Sequence, residues 1–172
     1  MTPELAIKNG KIVTPFSTYE GDDMAVEKGK IAAIGRHGSF PDAREMIDAK
    51  GKYILPGIID GHVHFREPGS TYKEDFETSS MAAAAGGVTT IFDTPNNTPF
   101  ICTVEAMRQK LEIIRNKACV DYGLVAAIVG DSISEIPKLS QAGINVFKIF
   151  MRERWAAYPF RMTEASSRHL SS

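Results

Sequence analysis

Residues 53–69 read Tyr-Ile-Leu-Pro-Gly-Ile-Ile-Asp-Gly-His-Val-His-Phe-Arg-Glu-Pro-Gly, and no other stretch limits the possible folds as tightly. Ile54, Leu55, Ile58 and Ile59 make an apolar approach. Asp60, His62, His64 and Arg66 then fall at every second position. In an extended strand, residues i and i+2 share a face, so the two imidazoles point the same way, about 7 Å apart at ~3.3 Å per residue. Two histidines so placed can converge on one metal ion, because neutral imidazole is a common zinc ligand. The same spacing also suits the polar face of an exposed strand. The apolar approach, Asp60 and the Pro-Gly exit favour a strand that delivers side chains into a site.

Composition narrows the setting. Of 172 residues, 43% are hydrophobic and 24% charged, the proportions of a globular chain. A net charge of −1 gives no electrostatic case for nucleic acid or an anionic membrane. No apolar run approaches the ~20 residues of a membrane helix, and the first ten residues lack a signal-peptide core. Two cysteines, Cys102 and Cys119, make no disulfide framework; free thiols in a reducing cytoplasm are expected.

Along the chain, Leu5–Val13 reads as a hairpin turning at Asn9-Gly10, and Met24–Gly35 as a second turning at Lys28-Gly29. Glu45–Tyr53 adds a short strand and turn. Residues 1–52 therefore form a small β module spaced like a sandwich, too small to bury a good core alone. From Tyr53 the rhythm becomes strand–helix alternation. Tyr72–Ala85 reads as a helix capped by Thr71, with Glu74 as capping-box partner, and ends at Gly86-Gly87. Val88–Asp93 is a β-branched strand followed by a Pro/Asn loop. Thr103–Lys117 is a helix, Val120–Val129 a strand, Ser132–Ala142 a helix interrupted near Pro137, and Ile144–Met151 a strand. Four strands with intervening helices imply an α/β fold with parallel pairing and right-handed crossovers. An open sheet and part of a barrel both fit. The phosphate-binding glycine fingerprint is absent after the first strand.

In such folds, functional groups collect at the C-terminal ends of strands. The His62–His64 pair, Asp93 with the Pro95-Asn96-Asn97 loop, and Lys148 within Val-Phe-Lys-Ile-Phe all obey that rule. Lys148 interrupts an apolar run, so its amine must pair, neutralise or be modified. A neutral amine can take up carbon dioxide as a carbamate, an anionic two-oxygen metal ligand; a snorkelling or ion-paired lysine is the plainer reading. If the first strand persists to Arg66, its guanidinium faces the same site and suits a substrate carboxylate; the alternative is a surface pair with a neighbouring Glu. Asn96 either offers hydrogen bonds to substrate or is a turn residue. Asp60 orients a ligand or the strand end rather than binding metal. His37 and His169 receive no role.

Residues 152–172 differ from the rest. They hold four arginines and no lysine, whereas residues 1–151 hold eleven lysines and five arginines. A disordered tail is expected there, starting where a loop and helix were due, with coding register or chain continuity lost near Met151.

Taken together, these residues resemble the cyclic amidohydrolases, the family of dihydroorotase, allantoinase, hydantoinase and dihydropyrimidinase. The likeness lies in Leu55–Gly69, in Ala82–Thr90 and in Phe147–Met151, and covers residues 1–151. Within the family it is strongest to dihydroorotase, where an arginine after the two histidines and a loop asparagine bind the substrate carboxylate; Arg66 and Asn96 match those positions. The resemblance implies a metal-dependent (β/α)8 TIM barrel preceded by an N-terminal β-sandwich segment, with residues 53–151 forming about four of the barrel's strands. It implies reversible hydrolysis of dihydroorotate to N-carbamoyl-aspartate in pyrimidine synthesis. Two zinc ions would polarise the ring carbonyl and activate water. His62 and His64 would hold one, and carbamylated Lys148 would bridge both.

The chain departs from that pattern. A full barrel takes about 250 residues, and neither the later metal-binding histidines nor the catalytic aspartate of the family can be matched here. The second zinc site is then incomplete, no catalytic acid is identified, and weak or no activity is expected from this chain alone. A complementing chain would restore the missing strands; a homo-oligomer is the other partner expected. The alternatives are another cyclic amide as substrate, or a non-catalytic amidohydrolase-like fragment that acts as an interaction protein.

Overall fold

The structure, a computed structural model, describes residues 2–150. The atypical tail expected over residues 152–172 lies outside the described residues. The chain divides into two compact units, residues 1–56 and residues 57 onward.

The first unit holds seven short strands: β1 (Leu5–Lys8), β2 (Lys11–Val13), β3 (Thr18–Glu20), β4 (Asp22–Glu27), β5 (Lys30–Arg36), β6 (Glu45–Asp48) and β7 (Tyr53–Ile54). They form two sheets, ordered β5-β4-β1-β6 and β3-β2-β7. Ala6, Met24 and Ala25 are buried in the first sheet and Ile12 in the second. The β4–β5 hairpin turns at Lys28-Gly29, both at positive φ, as its sequence predicts. The hairpin expected over Leu5–Val13 does not form. β1 lies between β4 and β6, and β2 between β3 and β7, so each strand fills both hydrogen-bonding edges without the other. Asn9-Gly10 instead bends the chain from one sheet to the next. The bend is tied to the turn after β6: Asn9 Nδ2 donates to Asp48 (3.0 Å) and Gly51 N–H to the Asn9 carbonyl (2.7 Å).

The second unit alternates strand and helix. Its strands are β8 (Ile58–Val63), β9 (Val88–Asp93), β10 (Asp121–Ile128) and β11 (Val146–Ile149). Its helices are α1 (Phe76–Ala85), α2 (Val104–Ile114) and α3 (Ile136–Gln141), the last preceded by a 3₁₀ turn over Gly130–Glu135. All neighbours are parallel, and the spatial order β11-β10-β9-β8 is the chain order. A doubly wound sheet reverses direction at a switch point; a barrel winds onward. The four strands are thus curled as part of a TIM barrel, and the open-sheet alternative falls away.

Packing follows the period of each element. α1 buries Phe76, Ser79 and Ser80 and packs Ala83 on the core, while α2 buries Ala106, Met107, Lys110 and Ile114. They meet Phe65, Ile91, Leu124 and Ala126 from the strands. Phe76, fully buried, stacks edge-on to Phe65 at 5.1 Å and to Tyr122 at 5.3 Å between centroids.

Two helix starts differ from expectation. α1 begins four residues later than predicted. Thr71 enters a turn, with Lys73 N–H on the Ser70 carbonyl, and Asp75 caps the helix by accepting from Thr78 N–H at 2.8 Å. Pro137 does not interrupt a helix; it sits in the first turn of α3, where its missing N–H costs nothing.

Gly123 of β10 is required for close approach, because a Cβ there would lie 2.6 Å from the Phe92 ring of β9. Gly123→Ala is therefore expected to destabilise the chain by about 1–3 kcal/mol, the usual cost of overpacking. Urea unfolding checks it, and the same substitution in a Phe92→Ala background should cost far less.

Candidate functional site

The site is built at the C-terminal rim of β8, β9 and β11. β8 ends in a bulge, since its register against β9 shifts between Asp60 and Val63. Asp60 accepts the His62 N–H at 3.0 Å, so this carboxylate shapes the strand end. Val63 and Phe65 turn toward the core, while the His62 and His64 rings sit 5.2 Å apart between centroids. Lys148, on β11, places Nζ 3.0 Å from His62 Nε2. The structure thus gathers three nitrogen side chains separated by as many as 86 positions in sequence.

The electrostatics are one-sided. Burial lowers the His64 pKa below the usual imidazole value, and the positive charges of Arg66, Lys148 and His62 lower it further, against the opposing pull of Asp93. Burial also lowers the Lys148 pKa. Among the described residues, neither Arg66 nor Lys148 forms an ion pair with a carboxylate. Among those residues, too, no group of three His, Cys, Asp or Glu side chains is placed to hold a metal.

Arg66 does not continue the strand. β8 ends at Val63, and Arg66 adopts a left-handed backbone with φ of 57°, costly for a residue with a Cβ. The expected alternation therefore stops at His64, although the Arg66 charge still acts on that ring. Asn96 lies in the loop after β9, and its Oδ1 is buried with no hydrogen-bond partner among the described residues.

Asp93 does not join the rim. It is fully buried toward the helices, where it is ion-paired with Lys110 of α2 and accepts the Phe65 N–H at 2.9 Å. Lys110 also donates to Asn97 Oδ1 (2.8 Å), and Asn97 Nδ2 donates to the Glu67 carbonyl (3.0 Å). The Glu67 carboxylate accepts the Phe76 N–H at the start of α1 (2.9 Å) and pairs with Lys117. This network joins the loop after β8 to the loop after β9. Sequence reasoning missed Lys110, Glu67 and Lys117. A signal existed for Lys110, which occupies an apolar stripe with Met107, Leu111 and Ile114.

A parallel strand–helix sheet with its polar groups at the C-terminal rim defines a barrel-type enzyme scaffold. The amidohydrolase family profile matches residues 53–154, more than half of the chain. A dihydroorotase of Methanosarcina mazei is 41% identical over 152 residues, covering 88% of this chain and 33% of that protein. An allantoinase of Desulfitobacterium hafniense is 40% identical over 151 residues, covering 86% of this chain and 32% of that one. The solved structure of an L-hydantoinase (dihydropyrimidinase) from Arthrobacter aurescens superposes with a TM-score of 0.77 at 34% identity, over 86% of this chain and 32% of that one. The chain belongs to the amidohydrolase family, among its cyclic-amide members. It spans about a third of the length of the curated relatives it matches.

Lys110→Met would strand the Asp93 charge in the core. A loss of about 3–5 kcal/mol in unfolding free energy is expected, read by chemical denaturation. The double change Lys110→Met, Asp93→Asn removes that charge but keeps an acceptor for the Phe65 N–H, and should recover part of the loss.

Proposed function

We propose that this chain carries part of a metal-dependent active site for hydrolysis of a cyclic amide, with dihydroorotate as substrate. The observation that carries the reading is the approach of Lys148 Nζ to within 3.0 Å of His62 Nε2, beside the His64 ring. The donor set fits a metal. Burial and positive neighbours hold His64 neutral, the form in which imidazole coordinates. Burial also shifts Lys148 toward its neutral amine, which can add carbon dioxide and release a proton to become a carbamate. His62, His64 and carbamylated Lys148 would hold zinc. Bound there, the ion would act as a Lewis acid on the substrate carbonyl.

Substrate choice rests on the remaining groups. Dihydroorotate differs from dihydrouracil by one carboxylate. Arg66 supplies a guanidinium without a carboxylate partner among the described residues, and Asn96 keeps one buried amide atom unpaired. Both suit a ligand that brings its own anionic and polar atoms. The carbamate and the dihydroorotate carboxylate would also offset the positive charge gathered at the rim. A second reading, hydantoin or allantoin as substrate, is favoured by the similar identity to allantoinase and hydantoinase relatives.

Two measurements test the proposal on the full chain. Zinc uptake, followed by calorimetry with bicarbonate present, should be lost in His62→Ala and in Lys148→Ala. Dihydroorotate should bind more tightly than dihydrouracil, and Arg66→Ala should erase that preference, about 10- to 100-fold for a charged hydrogen bond. Equal binding of the two by the unaltered chain would overturn the substrate assignment. Preference for hydantoin or allantoin would favour the second reading.

A further inference from the structure

Thr94 opens the loop after β9 and is 3% exposed. Its backbone N–H and its Oγ1 each lie 2.9 Å from the Val63 carbonyl oxygen. The same Oγ1 lies 2.6 Å from His64 Nδ1. A hydroxyl has one proton to give and lone pairs to accept with. The Val63 carbonyl can only accept, so its contact with Oγ1 takes the hydroxyl proton. Oγ1 then meets the imidazole with a lone pair, and Nδ1 must carry a hydrogen. Were the hydroxyl to donate to Nδ1 instead, two oxygen atoms would face each other at 2.9 Å with no hydrogen between them.

We infer that Thr94 is a positioning residue that locks the neutral His64 ring as its Nδ1–H tautomer and presents the Nε2 lone pair to the rim. The use of the lone pair rests on the metal reading above; the tautomer itself is a property of the metal-free chain. A histidine ligand commonly gives its second N–H to a carboxylate or a carbonyl, which orients the ring. Here the neighbouring carboxylate, Asp93, is occupied by Lys110 and the Phe65 N–H, and a hydroxyl takes that place. The hydroxyl fixes the ring without adding negative charge beside it. Thr94 in turn is fixed to Val63, one residue before His64, so anchor and ring move as one piece.

Nitrogen-15 imidazole spectra of the full, metal-free chain at neutral pH test this directly. His64 should be protonated on Nδ1. Thr94→Val, which keeps the shape and removes the hydroxyl, should shift protonation toward Nε2, and Thr94→Ser should restore the original pattern. Zinc affinity should fall about 10- to 100-fold in Thr94→Val and stay near the original in Thr94→Ser. A ring protonated on Nε2 in the unaltered chain overturns the inference, and that spectrum decides even if Thr94→Val fails to fold. An unchanged tautomer in folded Thr94→Val overturns it too. A locked Nδ1–H ring in a chain that takes up no zinc would uphold the role of Thr94 and defeat the metal reading instead.

Discussion

The barrel unit is organised around one buried ion pair. Asp93 ends β9 and Lys110 sits midway along α2, and both are almost wholly removed from water. Burying each ion costs several kcal/mol, and attraction alone rarely repays both. The arrangement holds because the remaining capacity of each group is used. Asp93 also accepts the Phe65 N–H, and Lys110 also donates to Asn97. Those two extra bonds reach the chain just past His64 and just past Asn96. An apolar pair of equal volume would fill the same space, but it would leave the Phe65 backbone and the Asn97 side chain without these anchors.

In front of the sheet the balance is reversed. His62, His64, Arg66 and Lys148 gather at one rim, while the Asp93 carboxylate is turned to the other side and ion-paired there. Burial and the positive neighbours lower the proton affinity of His64, and burial lowers that of Lys148. Such a rim suits neutral nitrogen donors, and on the function proposed above it would suit an anion, whether a carbamate on the chain or a carboxylate on a ligand. The sheet thus has two sides: behind it, paired charges hold the loops; before it, Arg66 and Lys148 have no carboxylate partner among the described residues.

Much of this was legible in the residues alone. The strand Val88–Asp93 agrees with expectation residue for residue, because β-branched side chains run between Gly87 and a polar loop. Thr103 announces α2 by residue type, and its hydroxyl accepts the Ala106 N–H as a cap should. The nearness of Lys148 to His62 followed from a rule about strand ends, not from local pattern. The failures share a cause. Asn9-Gly10 has the right chemistry for a tight hairpin, yet the partners of β1 and β2 come from residues further along the chain. Thr71 has the right chemistry for a cap, yet Glu67 and Asp75 together hold the start of α1. Lys110 sits in an apolar stripe because Asp93 waits behind it, and only the fold shows that pairing. In each case a partner outside the motif outweighed the preference of the motif itself.

The strands around Asn9-Gly10 have a consequence for synthesis. β1 and β2 run parallel to β6 and β7, so the segments 5–13 and 45–54 lie side by side as a doubled ribbon passing through both sheets. The first sheet has all its strands once Asp48 has been made and the second once Ile54 has been made, only a few residues before β8 begins. During translation the first segment must wait, one edge bare, while some thirty residues are added. The first unit therefore has every strand it needs before β8 emerges, whereas β8 must still wait for its own neighbour, β9 at Val88–Asp93.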